Sequence, residues 1–593
     1  MNASSMESLF GQDRYLMWLV IAVYMVIVTA AGTYYSKYMR TADAYFRGNN
    51  AIPWWAAGIS IYVAHFTAYT FVAIASLVYI DGLSGLLLET GPALVYFTVA
   101  IFFARIWHRL NVTSPPEYLE ARFNPSTRRV FSFFGILTTF IASGTRLFAM
   151  SKLAESFLGI PLVWVIVITG SVILIYTILG GLWAVIVTDV VQFIILYLAV
   201  IPLFIIAVAM IFIDSSWSEF VAKIPEGYAN FPHPVDGRTM GWLLVFWFSY
   251  FLDLGGDWGT IQRLCCTPTE KDARKAGLLA AAFSIPHAFL LLGPVFIGRV
   301  LYQNQLADPN VVGQAEQVYG KIALKLLPVG MVGVVIAAMF SATMSTLSVA
   351  WSVRATSFVN DLYVRMLRPN AGDKEKILAG RLAILVIGLI AIGVAVLVAI
   401  TETGLFSLAQ DFIGLIVVPV ILPLLLGLLI KRVQNWAAIA GMITGLATAL
   451  LNRYAYHLIG LTAPLPFEYE IVISSLAVLG VMYGSGFLPR TSEEIARSES
   501  FFERMKTPRP PMVVDKDIPA PIRIIGAFTI LIGFLVMILV LLPQSLLNRG
   551  VTAFAALILI GVGLLMRRFR PAELEAVLKG DLKPEAVPSN IIE

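Results

Sequence analysis

Long apolar stretches alternate with short polar segments along almost the whole chain. A helix needs about 20 apolar residues to cross the hydrocarbon core of a bilayer, and these stretches are of that length. The pattern therefore predicts an all-α polytopic membrane protein with about 15 transmembrane spans. We expect these spans near residues 15–35, 54–80, 84–107, 129–157, 161–180, 184–213, 240–262, 276–302, 328–358, 379–401, 405–430, 434–457, 470–487, 521–543 and 550–567.

The composition fits a chain whose main solvent is lipid. Of its 593 residues, 58% are apolar and only 13% are charged, which lies outside the range of soluble globular domains. The first apolar stretch, Tyr15 to Tyr35, is too long for the apolar region of a cleavable signal peptide, so we expect it to remain as a span. The net charge of +5 arises from basic residues in short loops, which indicates a topology signal and not a nucleic-acid partner.

The distribution of Lys and Arg predicts the orientation in the cell membrane. Cytoplasmic loops carry an excess of basic residues, and the cluster that begins at Arg263 is one of several in alternate loops. The clusters lie at residues 37–47, 105–129, 263–275, 365–376, 431–432, 490–523 and 567–570. We therefore predict an N-terminus outside, a cytoplasmic C-terminus and an odd number of spans.

Two predicted spans carry polar residues where a continuous helix should be apolar. We expect both spans to be broken. The second has several polar residues at mid-depth, and the seventh has adjacent glycines between carboxylates, which are unfavourable inside a helix. The polar residues are His65, Thr67, Tyr69 and Thr70 in the second span, and Asp253, Gly255, Gly256 and Asp257 in the seventh. An offset of five spans is expected if two five-helix inverted repeats each begin with a discontinuous helix.

A run of hydroxyls lies inside a third apolar span, between Phe340 and Ser348. A hydroxyl in hydrocarbon needs a partner, and a cluster at one depth is typical of a site for a dehydrated cation or a polar solute. The alternative is that each Ser or Thr hydrogen-bonds to the preceding turn or packs as a small residue against a neighbouring helix.

Four segments give the chain a resemblance to the sodium:solute symporter family, which includes sodium/glucose and bacterial sodium/galactose cotransporters. They are Ile52–Ser60, Tyr176–Gln192, Leu327–Leu347 followed by Asn360–Tyr363, and Trp258–Gly259 with Gln262–Arg263. The resemblance implies a LeuT-type inverted-repeat core of ten helices at residues 54–430. An N-terminal span and loop at 1–53, four additional spans at 431–570 and a cytoplasmic tail at 571–593 would flank this core.

The resemblance also implies a Na⁺ site between the first core helix and the hydroxyl-rich span. Na⁺ requires about five or six oxygen ligands, by the same logic as other hard cations. The implied ligands are the backbone carbonyls of Val63, Phe66 and Ala342 and the hydroxyls of Ser345 and Thr346. Asp189 and Ser348 are expected to line the exit route of the ion or to form a second Na⁺ site. The alternative for Asp189 is a solvated residue at a helix end.

Matching the sugar-transporting members implies a solute pocket. Its expected residues are Glu89, Gln410, Asp257 and Trp258, to which we add Arg146, His65 and Thr70, the last at a position where the galactose transporter has a glutamine. We expect Arg146 to pair either with Asp253 or Asp257 or with a carboxylate of the solute. His65 is equally well explained as a hydrogen-bonded core residue.

The predicted function is sodium-coupled symport, in which a small polar solute is imported by alternating access. A sugar or sugar-like solute is the first expectation. Arg146, and the positions Ala142 and Ile285 where the galactose transporter has polar side chains, favour the alternative of an organic anion (a carboxylate, sialic-acid-like) or an amino acid. A transporter-like membrane sensor is the second alternative. We expect no enzyme activity, because no HExxH, GxSxG or phosphate-loop motif is present. The expected partners are Na⁺, the solute and the lipid bilayer, with no nucleic acid, and the sequence leaves the oligomeric state open.

Overall fold

The described part of the chain is helical, with short connecting loops and no β-strand. The computed structural model describes residues 19–26, 30, 41–48, 52–65, 67–112, 114–158, 160–231, 239–308, 314–400, 405–459, 461–508, 521–541 and 546–568. The predicted tail at 571–593 and most of the predicted first span at 15–35 lie outside these ranges.

Among the described residues of the first half, residues 19–26 are helical, and ten further helices follow them. In order, they are α1 (Ala42–Arg47), α2 (Trp54–His65), α3 (Thr70–Asp81), α4 (Leu83–Leu110), α5 (Pro115–Arg122), α6 (Pro125–Leu158), α7 (Leu162–Asp214), α8 (Trp217–Ala222), α9 (Met240–Gly255) and α10 (Trp258–Cys265).

The helices of the second half follow. They are α11 (Glu270–Tyr302), α12 (Val318–Leu326), α13 (Val329–Ser357), α14 (Asp373–Ala399), α15 (Leu405–Phe412), α16 (Val418–Leu429), α17 (Ala437–Tyr454), α18 (Phe467–Gly484), α19 (Ser492–Lys506), α20 (Pro521–Leu539) and α21 (Leu546–Arg568). A π-helical segment, Phe358–Leu367, continues α13, and another, Ile413–Val417, joins α15 to α16.

Several helices have the length and composition of membrane spans. Within the described ranges, 8 helices meet both criteria, and the number rises to 9 if α2 and α3 are counted together as one bent span. Shorter apolar helices also occur, among them Leu162–Ile178 and Met240–Gly255. The larger number of spans expected from the sequence stays a prediction.

The second predicted span is broken where its polar residues lie. The axes of α2 and α3 differ by 57°, and Thr67 lies between the two helices. Its Oγ1 accepts a hydrogen bond of 3.1 Å from the Tyr69 amide, and its carbonyl accepts one from the Thr70 amide. Thr67 therefore satisfies amide groups that the start of α3 leaves without intrahelical partners.

The seventh predicted span is also broken, between α9 and α10. Asp257 caps α10, because its Oδ2 accepts a hydrogen bond of 2.8 Å from the Thr260 amide. The preceding residue must be small, since a Cβ on Gly256 would overlap Cγ2 of Ile421 on α16. The structure thus confirms both interruptions and gives the second a packing reason.

The region predicted as two spans, 161–180 and 184–213, forms the single helical run α7 of 53 residues. At 1.5 Å per residue, a straight helix of this size would be about 80 Å long, more than twice the hydrocarbon thickness. Its apolar parts divide into Leu162–Ile178 and Val185–Asp214, so the run contains enough apolar residues for two crossings.

The first half of the broken second span, α2, lies inside the helix bundle. Helix α2 packs against α7, α11 and α13, while α6 packs along α14. The 18-residue apolar window of Met331–Leu367, which includes most of α13, is 100% buried within the protein. The polar side chains of α2 and α13 therefore face other helices and not the surface that lipid would cover.

Candidate ion and solute site

The break between α2 and α3 lies against the hydroxyl-rich part of α13. Thr346 Oγ1 is 2.8 Å from the carbonyl oxygen of Ala64 and 3.1 Å from that of Ala342. On the other side of the break, the Ala68 amide donates a hydrogen bond of 2.9 Å to Thr343 Oγ1. Hydroxyls of α13 thus satisfy backbone groups that the broken helix leaves without helical partners.

The structure brings several of the predicted Na⁺ ligands to this contact. Ala342 and Thr346 lie on the face of α13 that meets α2, and Val63 is buried in the last turn of α2. Phe66 lies outside the described residues. The Ala64 carbonyl, which the sequence did not single out, provides a further oxygen at the break. Carbonyl and hydroxyl oxygens are the ligands that hard cations prefer.

Asp189 lies at the centre of a buried polar cluster. Its carboxylate accepts a hydrogen bond of 2.6 Å from Ser345 Oγ and another from Ser60 Oγ. The Arg263 guanidinium donates to the same carboxylate at 3.1 Å, and the side chains of Asp189 and Arg263 are both 0% exposed. Arg263 also donates to Ser60 Oγ at 2.5 Å. This cluster joins α2, α7, α10 and α13.

The Asp189 cluster excludes one alternative from the sequence and corrects one expectation. Asp189 is not a solvated residue at a helix end, because α7 continues past it and its side chain is fully buried. Arg263 does not belong to a basic loop, since it lies inside α10 in an ion pair. The predicted orientation, which also uses the other basic residues of that cluster, stays a prediction. Asp189 and Arg263 each occur in one of the family-like segments, but nothing in the sequence indicated that they pair.

Ser348 fits the alternative for hydroxyls within a membrane helix. Its Oγ donates a hydrogen bond of 2.9 Å to the Ser345 carbonyl and lies 3.5 Å from the Tyr176 hydroxyl. Tyr176 in turn contacts Thr188 Oγ1 at 2.7 Å. Ser348 is therefore buried beside the Asp189 cluster, and a second Na⁺ site there stays a prediction.

A central cavity of about 130 Å³ lies next to the break. Four of the seven residues predicted for the solute line this cavity, namely His65, Thr70, Arg146 and Asp257. Thr346 from the predicted Na⁺ site also lines it. Polar and aromatic side chains in its lining include His65, Thr70, Tyr250, Arg146, Asp253, Asp257, Thr346 and Phe412. The cavity thus adjoins the contact at which Na⁺ binding is predicted.

Arg146 enters this cavity from α6 without an ion-pair partner among the described residues. No described residue forms a hydrogen bond with the Arg146 guanidinium, and no described carboxylate lies within 4.0 Å of it. Asp253 and Asp257 line the same cavity, and Asp253 attracts the guanidinium electrostatically, but neither carboxylate lies within 4.0 Å of it. A guanidinium that faces a cavity in this way offers a planar set of donors to an anionic group of a solute.

Glu89 and Gln410, both predicted for the solute, do not occur within the described lining of the central cavity. Glu89 is buried at a turn within α4, where its Oε1 is 3.5 Å from Nε2 of His65 and 3.9 Å from Nε2 of His287. It also accepts a hydrogen bond of 3.2 Å from the Tyr250 hydroxyl. Glu89 therefore lies next to His65, which itself lines the central cavity.

Trp258 lines a second cavity, which we call the inner cavity, together with Arg354 and Thr139. The guanidinium carbon of Arg354 lies 3.6 Å from the centroid of the Trp258 ring, and Arg354 Nε donates a hydrogen bond of 2.7 Å to Thr139 Oγ1. Arg354 was not among the residues predicted from the sequence, although a charged residue within an apolar span is by itself a functional signal.

Comparisons with known proteins agree with this arrangement. A family model, the sodium:solute symporter family, matches residues 45–445. The sodium/sialic acid symporter SiaT of Proteus mirabilis (strain HI4320) is 26% identical over 502 residues, covering 82% of this chain and 98% of that protein. The sodium/glucose cotransporter of Vibrio parahaemolyticus is 27% identical over 464 residues, covering 74% and 84% of the two chains. A solved structure of a Na⁺-coupled sialic acid symporter in a substrate-bound outward-open state aligns with a TM-score of 0.68 and 24% identity, over 80% of this chain and 99% of that chain.

The chain belongs to the sodium:solute symporter family, because the family match covers more than half of its length. This membership confirms the predicted family, a multi-pass membrane transporter, and Na⁺ as the coupling ion. The structural likeness confirms the predicted all-α LeuT-type fold class. The relatives are named for different solutes, so the family alone does not define the solute of this protein.

Proposed function

We propose that this protein is a sodium-coupled symporter that imports a small polar solute bearing a carboxylate group, by alternating access. The observation that carries the proposal is the Arg146 guanidinium, which lines the central cavity without an ion pair to any described residue. The protein is oriented with its N-terminus outside and its C-terminus in the cytoplasm, as the basic loops indicate.

The contact between α2 and α13 supports the coupling of ion and solute. Thr346 touches the carbonyl of Ala64 at the break and also lines the central cavity. A Na⁺ ion bound by Ala342, Thr346 and the end of α2 would hold this contact together and order one wall of the cavity. By thermodynamic linkage, the solute then raises the affinity for Na⁺ by the same factor as Na⁺ raises the affinity for the solute.

The polar groups of the cavity favour a sugar acid over a neutral sugar. Arg146 suits a carboxylate, while Asp253 and Asp257 suit hydroxyl or amino groups of the same molecule. The sialic acid symporter among the relatives transports a solute of this chemical class, as its name states. A neutral sugar is the second candidate, because Asp253 and Asp257 can accept hydrogen bonds from sugar hydroxyls and another relative is named for glucose.

The test is solute uptake into proteoliposomes with and without a Na⁺ gradient. The panel contains sialic acid, glucuronate, glucose, galactose and an amino acid. We expect an acid to be taken up in a Na⁺-dependent way. We also expect Arg146→Gln to raise its KM by about 10- to 150-fold, the range for lost hydrogen bonds to a charged group. Arg365→Gln is the matched control, since Arg365 is half exposed and pairs with Glu120.

Two results would contradict the proposal. Na⁺-dependent uptake of neutral sugars alone, unchanged by Arg146→Gln, would assign the protein to the second candidate. If no solute of the panel moved with Na⁺, carboxylate symport would be wrong and the sensor interpretation would become the leading one.

A further inference from the structure

The inner cavity continues from the central cavity toward the side that carries the basic loops. The two cavities share Arg146, Asp253, Asp257 and Phe412. Arg354 lies eight residues after Thr346 on α13, and at 1.5 Å per residue this places it about 12 Å farther along that helix. Its partner Thr139 lies seven residues before Arg146 on α6, or about 10 Å toward the same side.

The Arg354 guanidinium is held by hydrogen bonding and ring stacking, and Asp257 in the same cavity attracts it without a direct contact. Its Nε donates to Thr139, and one of its faces lies on the Trp258 ring. Its Nη1 is buried and has no hydrogen-bond partner among the described residues. None of the described carboxylates lies within 4.0 Å of it. A buried guanidinium without a directly bound anion is unfavourable, and the unpaired Nη1 is a donor that an anionic ligand in the inner cavity could use.

Local packing fixes this position. A Cβ on Gly135 would lie 2.6 Å from the Trp258 ring and 3.3 Å from Nη1 of Arg354. The absence of a side chain at Gly135 therefore allows Trp258 and the guanidinium to pack closely against α6. A guanidinium stacked on a ring and fixed through Nε keeps its planar donor set oriented for bidentate binding of a carboxylate.

We propose that Arg354 is a second binding site for the solute carboxylate, occupied after the carboxylate leaves Arg146 on its way to the cytoplasm. This inference rests on the proposed function, because it requires an acidic solute. Asp253 and Asp257 line both cavities and repel an anion at either arginine. The charges of Asp253 and Asp257 lower the affinity of each arginine site for the solute carboxylate. The solute can therefore dissociate from one site and reach the next, as transport through successive sites requires.

The experiment compares the two faces of the membrane with the acid that wild type transports best. Inside-out vesicles report the KM at the cytoplasmic face, and right-side-out vesicles report Na⁺-dependent binding at the outer face. For Arg354→Gln we expect the cytoplasmic KM to rise by about tenfold or more, with outer-face binding changed less than about twofold. Arg354→Lys keeps the charge but loses the planar donor set, so we expect a smaller rise.

The controls separate this inference from a purely structural or gating role. Arg365→Gln, on the same side of the protein, should leave both values unchanged. Arg146→Gln should weaken binding at the outer face. A lower maximal rate with an unchanged cytoplasmic KM in Arg354→Gln and Arg354→Lys would show that Arg354 only gates the path, and the inference would be wrong. If wild type transported no acid at all, the proposed function itself would fail, and Arg146→Gln would then have no effect on uptake.

Discussion

At the scale of single residues, the Thr346 hydroxyl makes the contact between the broken helix and α13. Replacing Thr346 with Val keeps the shape of the side chain and removes the oxygen that faces Ala64. We expect the KM for Na⁺ in solute uptake to rise by about two- to tenfold, since losing one such interaction costs about 0.5–1.5 kcal/mol. Thr346→Ser should remain close to wild type.

The control for Thr346 is Thr448→Val on α17. Thr448 also donates to a carbonyl of the preceding turn, but it lies outside the predicted transport core. Uptake by Thr346→Val with the Na⁺ dependence of wild type would remove Thr346 from the ion site.

The buried ion pair of Asp189 and Arg263 is expected to contribute to the stability of the folded protein. Removing one member of such a pair leaves an uncompensated charge and typically costs about 3–5 kcal/mol. We expect Arg263→Gln to lower the thermal unfolding temperature of the purified protein, and the added substitution Asp189→Asn to restore part of it. Arg129→Gln is the control, because Arg129 is exposed and bonds only to Ser126 among the described residues. A single mutant as stable as wild type would show that the pair contributes little.

Individual polar residues were predictable from the sequence where they interrupt an apolar pattern. His65, Thr70, Arg146 and Asp257 stand out in this way, and all four line the central cavity. Which charges meet was not predictable, because pairing depends on how the helices are rotated against each other. Asp189 contacts Arg263 although they are 74 positions apart in the sequence. The contact of Glu89 with His65 likewise depends on how their helices are rotated.

At the scale of helices, the break at Gly256 depends on close packing of the connection between α9 and α10 against Ile421 of α16. In Gly256→Ala, the new Cβ would overlap Ile421 and lie 2.9 Å from the carbonyl of Leu252. Such overpacking costs about 1–3 kcal/mol, so we expect a lower unfolding temperature and slower transport. The added substitution Ile421→Ala should restore part of the stability.

Gly393→Ala is the matched control for Gly256→Ala. A Cβ at Gly393 would meet nothing within 4 Å, so that substitution should be tolerated or slightly stabilising, as expected for glycine within a helix. Equal stability of the two alanine variants would show that the break tolerates a side chain.

The sequence predicted helices better than it predicted their boundaries. Hydrophobicity identified the apolar segments, and the Gly-Gly pair identified the second break. Hydrophobicity does not report how helices are joined, however, and the region expected as two spans forms the continuous run α7. The π-helical segment after α13, Phe358–Leu367, was also not predictable, because one extra residue in a turn leaves the apolar pattern almost unchanged.

At the scale of the whole molecule, α19 connects parts of the transporter that are distant in sequence. Arg109, at the end of α4, donates to the carbonyls of Met505 and Lys506 at 3.1 and 2.7 Å and pairs with Glu270 on α11 at 2.7 Å. Phe501 of α19 is buried, with its ring 5.8 Å from that of Tyr118 on α5. This helix therefore binds to α4 and α5 on the side that we propose to be cytoplasmic.

Because Phe501 is a buried contact of α19, we expect Phe501→Ala to loosen this helix from the rest of the protein. Replacing a buried Phe with Ala typically costs about 3–5 kcal/mol, which would raise the population of the undocked helix by about 100-fold or more. Hydrogen exchange should therefore accelerate in residues 492–506, while α13 stays protected. Phe487→Ala is the control, since Phe487 is 73% exposed. Unchanged exchange in α19 would mean that the Arg109 contacts alone hold it, and Arg109→Ala would then be expected to release it.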